Sequence, residues 1–144
     1  MDEFDATTYK FSPVKYRGDF KPKGRQGHCS VVFDQYNMFI IGGTYQDQLI
    51  DPTPIPLDES VLHYDMDAST FQAVQLDKTN TSNPSNLVYH SGFMLNRDSI
   101  GVLWYDFETQ NPALEENFNT SKRRIMKISQ FVIPKRAWRD INLI

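Results

Sequence analysis

Apolar residues in this chain come in short runs of four or five, separated by polar stretches that carry glycine, proline, asparagine or aspartate. Two of these runs, Cys29–Phe33 and Met38–Ile41, flank Asp34-Gln35-Tyr36-Asn37, which predicts an antiparallel hairpin turning at 34–37. The second run ends on Gly42-Gly43. Adjacent glycines at a strand end suit a backbone that must take positive φ or pass too close to another segment to admit a Cβ. Val61–Asp65 and Phe71–Val74 predict a second hairpin. Tyr64 and Phe71 are seven apart, an odd separation that lets them face each other across an antiparallel pair, both rings on one face, with a two-residue loop at Asp67-Ala68. Four short strands, a glycine doublet and an aromatic pair thus make one unit over 25–76.

The unit recurs. Phe4, Phe11 and Val14 set against Tyr64, Phe71 and Val74 at equal spacing, so 1–14 reads as the outer two strands of a unit. Lys15–Arg25, with Gly18, Pro22 and Gly24, reads as a connection, and polar 77–86 as the next one. Placing His90 on His28, a shift of 62, carries Phe93–Leu95 onto Val31–Phe33, Asn96–Ser99 onto the first turn and Gly101–Leu103 onto Phe39–Ile41. Trp104-Tyr105 then fall where the glycine doublet stood, which removes the basis for close glycine packing there. Phe131 and Trp138 repeat the seven-residue spacing and close a second, degenerate unit over 87–144.

The series Arg25, Gly27-His28, the run into Gly42-Gly43, then Tyr64-Asp65 and Phe71 resembles the kelch repeat. In that family a diglycine closes the second strand, and a tyrosine and a tryptophan mark the third and fourth. Phe71 stands where tryptophan is usual, and Trp138 supplies it in the second unit. The stretch 18–28, GDFKPKGRQGH, is similar to the glycine-proline-arginine approach to a kelch first strand. The resemblance implies an all-β fold, a partial kelch-type β-propeller of four-stranded antiparallel blades, with 1–14 the outer half of one blade, 25–76 a full blade and 87–144 a degenerate one. Propellers close with about four to eight blades. Two and a half, ending on an outer strand, predict a portion of a longer propeller or a chain whose open blade faces are covered by another copy or a different subunit.

Composition adds bounds. With 144 residues, 40% hydrophobic and 13% aromatic, the chain should bury a core rather than stay disordered, and eight prolines and seven glycines among β-branched runs favour an all-β class. A net charge of −3 argues against nucleic-acid binding, and the basic runs Lys122–Arg124 and Lys135-Arg136 lack interleaved stacking aromatics. A single cysteine and three histidines give no disulfide and no metal-ligand spacing, so neither metal nor cofactor is expected. The polar start MDEFDATTYK and the lack of any membrane-length run predict an intracellular, cytoplasmic protein with no membrane role. Asn80-Thr81-Ser82 and Asn119-Thr120-Ser121 match the glycosylation triplet and, without a secretion signal, read as chance.

If the strands alternate up and down, loops 44–60 and 106–124 fall at one end of the fold with 77–88. The first carries Tyr45, Asp47, Asp51, Asp58 and Glu59; the second carries Asp106, Glu108, Glu115 and Glu116 before Lys122–Arg124. They read either as solvated loops or as a mainly acidic protein-docking face. Gly42, Gly43, Tyr64, Phe71, Phe131 and Trp138 are the structural motif. His28 and His90, recurring at one repeat position, read as structural rather than as a metal or catalytic pair, and Cys29 as a small core residue. Pro52–Pro56 reads equally as a polyproline II ligand or a stiff loop. The kelch resemblance implies a noncatalytic protein-binding or scaffold module, since such proteins serve as scaffolds, ubiquitin-ligase adaptors or cytoskeletal partners. Its alternative is a fragment of a kelch-like propeller enzyme, an oxidase or one acting on small molecules. A copper oxidase would need a tyrosine-histidine-cysteine set, for which this chain has no matching motif.

Overall fold

The computed structural model describes residues 1–45, 53–107 and 124–141. Their strands are β1 (Asp2–Asp5), β2 (Lys10–Pro13), β3 (Arg25–Gln26), β4 (Cys29–Val32), β5 (Asn37–Ile41), β6 (Thr44–Tyr45), β7 (Val61–Asp65), β8 (Thr70–Ala73), β9 (Ser91–Asn96), β10 (Ser99–Phe107), β11 (Arg124–Val132) and β12 (Ala137–Asp140). All the named strands pair antiparallel. Two four-stranded sheets have the same sequential order, β4-β5-β7-β8 and β9-β10-β11-β12, and the pairs β1-β2 and β3-β6 form two small ribbons. Among the described residues no helix is long and apolar enough to cross a membrane.

The register carries the repeat into the backbone. Val31 pairs with Phe39 and, 62 residues on, Phe93 pairs with Gly101. Phe4 faces Phe11, Tyr64 faces Phe71 and Phe131 faces Trp138. Left-handed residues recur at matching places: Tyr9, Ser69 and Arg136 each stand immediately before the last strand of a unit, and Gly27 and Tyr89 shortly before the first. The side chains of Asp5, Asp34, Asp65 and Asn96 accept backbone N–H groups of the turns that follow them. A short oxygen-bearing side chain at the strand end therefore closes each of these hairpins. One expectation fails in detail: the β7–β8 loop spans 66–69 rather than two residues, because Ser69 takes φ 55° to re-enter the ladder.

Strand alternation sends one face of each sheet into a shared core. Phe39, Ile41, Val61 and Val74 of the first sheet's side meet Ile100, Val102, Trp104, Phe131 and Trp138 of the second. Trp104 Nε1 donates to Ser129 Oγ at 3.0 Å, so that buried indole is satisfied. Each such aromatic removes roughly 150–250 Å² from water, an upper estimate of about 4–6 kcal/mol of transfer free energy. The first strands of the two sheets abut: a Cβ on Gly92 of β9 would lie 2.6 Å from Cys29 Sγ of β4.

The glycine doublet is where the first sheet meets the connection to the second. Gly42 and Gly43 have φ 64° and 95°, and a Cβ on Gly42 would stand 2.3 Å from Leu87 O. The Gly43 N–H donates to that carbonyl at 2.6 Å, and the Gly42 N–H to Ser60 O at 2.6 Å. At the corresponding place in the second sheet, β10 continues straight to Phe107.

The N-terminal hairpin β1-β2 is exposed along its whole length. Its link to the first sheet is Tyr16, whose ring meets Phe71 at 5.0 Å and Tyr64 at 6.5 Å, and the Arg17–Thr70 bridge. Tyr64 and Phe71 are thus covered by a connecting segment, whereas Phe131 and Trp138 lie between the two sheets.

Trp138→Ala should cost about 3–5 kcal/mol in urea unfolding, as for other large buried aromatics. Gly42→Ala should be more damaging than Gly101→Ala by upwards of about 1 kcal/mol, since Gly101 adopts ordinary strand dihedrals and its added Cβ would meet only the exposed Phe93 ring. Equal losses at the two glycines would show that the doublet's backbone geometry is not needed.

Candidate interaction surface

β10 sorts its residues by parity. Ile100, Val102 and Trp104 enter the core, which leaves Leu103 and Tyr105 on the opposite side. Their cross-strand partners are Ile128 and Met126, and Phe93 continues the row over Gly101, where an added Cβ would lie 2.6 Å from its ring. The outer face of the second sheet is consequently an apolar ladder open to water: Tyr105 and Met126 are 49% and 52% exposed and Phe93 42%, with Leu103 and Ile128 half-buried beneath. Arg139, paired with Gln130, and Arg124, two residues before Met126, border it. Contiguous apolar surface rimmed by polar groups is the ordinary signature of a docking site.

The acidic loop end is tied inward where it is described. Tyr45 belongs to β6 rather than to a loop, and its hydroxyl donates to Glu59 Oε2 at 2.9 Å while the Lys23 ammonium lies 5.1 Å above its ring. Half-buried Arg25 donates to Gly42 O at 3.1 Å and to Glu59 O at 3.2 Å, bracing the doublet against the 3-10 turn Leu57–Glu59. Asp58 pairs with Lys78 at 2.9 Å, both exposed, so that ion pair adds little to stability. Asp106 lies in β10 and pairs with Lys127, whose ammonium also covers Trp104. Asp47, Asp51, Glu108, Glu115 and Glu116 lie outside the described residues.

The groups with nucleophilic or acid-base chemistry are engaged or suppressed. Burial pushes the Cys29 thiol up to about 11, well away from a reactive thiolate. His63 stacks on Phe39 and is fixed between Asn37 Oδ1 at 2.6 Å and Gln72 Nε2 at 3.0 Å; with the amides so oriented, Nε2 carries the proton and Nδ1 accepts. Burial lowers its basicity first of all, and the nearby Asp65 and Asp34 carboxylates oppose that. His28 is lowered by burial and then by Arg25. His90 is 9% exposed, and burial takes it down to about 4, with the Ile41 backbone acting in the other direction. Among the described residues no group of three or more histidine, cysteine or carboxylate side chains could hold a metal ion.

The exposed ladder Phe93, Tyr105 and Met126 was not singled out from the sequence. Its signal was the alternation within SIGVLWYDF, obscured because both faces of β10 are apolar. No protein-family model matches the chain, and no curated protein matches it significantly.

The buried imidazole sets a pH dependence. His90 is neutral in the fold and would bind a proton near 6.5 in the unfolded chain, so the unfolded state binds more protons between about pH 6.5 and 4 and stability falls as pH drops through that window. The full difference corresponds to roughly 3 kcal/mol. The lowered exposed carboxylates Asp5, Asp34 and Asp77 act only below about 3.8. Urea midpoints taken between pH 7.5 and 4.5 should therefore decline in the wild type and decline less in His90→Asn. Parallel curves would remove His90 as the cause.

Proposed function

We propose that this chain is a noncatalytic protein-interaction or scaffold module of kelch type, a set of propeller blades that works by joining further sheets or subunits into a larger assembly. The observation that carries this reading is the open apolar face of the second sheet. Two four-stranded sheets of identical order, related by a shift of 62 residues in the first two strands and 67 in the outer two and packed with their first strands together, support the blade assignment. Stacked repeat units gain most of their burial from neighbours, and among the described residues the outer face of the second sheet stays exposed. The engaged state of His63 and the raised thiol of Cys29 favour binding over covalent chemistry.

Carboxylates placed on the face test this. In extract of its own source the wild-type chain should run in a complex larger than itself, and Tyr105→Glu with Met126→Glu should return it to its own mass with its thermal midpoint changed by no more than a few degrees, because both sites are exposed. A wild-type chain that runs at its own mass in extract would remove the reading.

A further inference from the structure

Three aromatic pairs share one separation and one geometry. Phe4/Phe11, Tyr64/Phe71 and Phe131/Trp138 have ring centroids 4.9, 4.4 and 5.2 Å apart. The third pair is sealed by the first sheet, through Phe39 among others, and the second by Tyr16. The first pair stands in water, with Phe4 50% and Phe11 75% exposed. It sits on an isolated two-stranded ribbon, a unit of marginal stability unless something packs against it.

The molecule also holds an uncovered surface of the kind that covers such a pair. Val31, Phe39, Ile41 and Val61 form the face of the first sheet that seals Phe131 and Trp138. Shifted by 62 residues in the first two strands and 67 in the outer two, these positions become Phe93, Gly101, Leu103 and Ile128, which lie on the open outer face of the second sheet. The two unmet halves cannot join within one chain. The hairpin is anchored through Tyr16 to Tyr64 and Phe71, on the side of the first sheet away from the second, so two sheet layers of about 10 Å each intervene. Charge is compatible with shape: Asp2 shares the face of the hairpin that carries Phe4 and Phe11, and the open face is bordered by Arg124 and Arg139.

We propose that the hairpin β1-β2 of one copy docks through Phe4 and Phe11 onto the outer face of the second sheet of another copy. Because the two surfaces differ, the contact is head-to-tail and extends into a ring or filament instead of closing as a two-fold dimer. The proposal rests on the interaction-module reading and names the partner.

Sedimentation velocity on the purified full chain, from sub-micromolar to high-micromolar concentration, tests it with two paired variants. Phe4→Ser with Phe11→Ser disables only the hairpin; Tyr105→Glu with Met126→Glu disables only the face; both should keep the wild-type circular dichroism. The wild type should grow beyond a dimer with concentration and retreat in high salt, since the rim charges are exposed. Each variant alone should be a monomer, and an equimolar mixture should form a heterodimer and nothing larger, because only one good contact remains. A hairpin variant that still assembles like the wild type would overturn the proposal and leave the module reading intact. A purified wild type that stays monomeric throughout would also overturn it, and the module reading would then fall only if the chain runs alone in extract too.

Discussion

The apolar layer between the two four-stranded sheets is the constraint on which the rest depends. The second sheet buries one face only, so Ile100, Val102 and Phe131 leave water by meeting Phe39, Ile41 and Val61. That meeting requires the chain to turn from one sheet to the next within a narrow space. The turn is possible because Gly42 and Gly43 let the segment before β9 pass at hydrogen-bonding distance, Leu87 O against Gly43 N–H. Arg25 then occupies the carbonyls that this crossing leaves on the first sheet's end, and β3 with β6 clips the entry strand to the exit strand. Packing, glycine geometry and the arginine brace are one arrangement seen at three scales.

Much of this was legible in the sequence because strand pairing obeys simple counting. The seven-residue spacings are met across antiparallel neighbours, and the 62-residue shift survives as register down to the Phe93–Gly101 pair. What stayed hidden has physical reasons. The ribbon β3-β6 is two residues wide, too short to leave a periodic trace. Tyr9, Ser69, Tyr89 and Arg136 adopt left-handed backbone without being glycine, so composition does not announce them, although their recurrence at matching repeat positions shows the backbone path conserved where the side chains differ. Asp58 and Glu59, near the doublet, are partnered by Lys78 and Tyr45, contacts between segments that no linear spacing encodes.

Among the described residues, one open apolar surface is the flat of a sheet. This follows from β10, whose two faces are both apolar although one of them is in water. A strand buried on both sides normally reads as a near-continuous apolar run, and β10 reads that way. Its sequence fits an environment with a layer on each side, while the first sheet supplies one.

Asn80 carries a consequence of a different kind. Its amide Nδ2 donates to Trp138 O at 3.0 Å, and its Oδ1 accepts the Ser82 N–H, which holds the connection between the sheets against β12. The same nitrogen is the atom to which a sugar would be joined in the triplet Asn80-Thr81-Ser82. A glycan there would replace one of the two amide hydrogens and add bulk where the outer strand now lies, so oligosaccharide attachment and completion of the second sheet compete for the same space. In the finished fold one of those hydrogens is held on the backbone carbonyl of Trp138, so a sugar on Asn80 would have to share the narrow space beside β12.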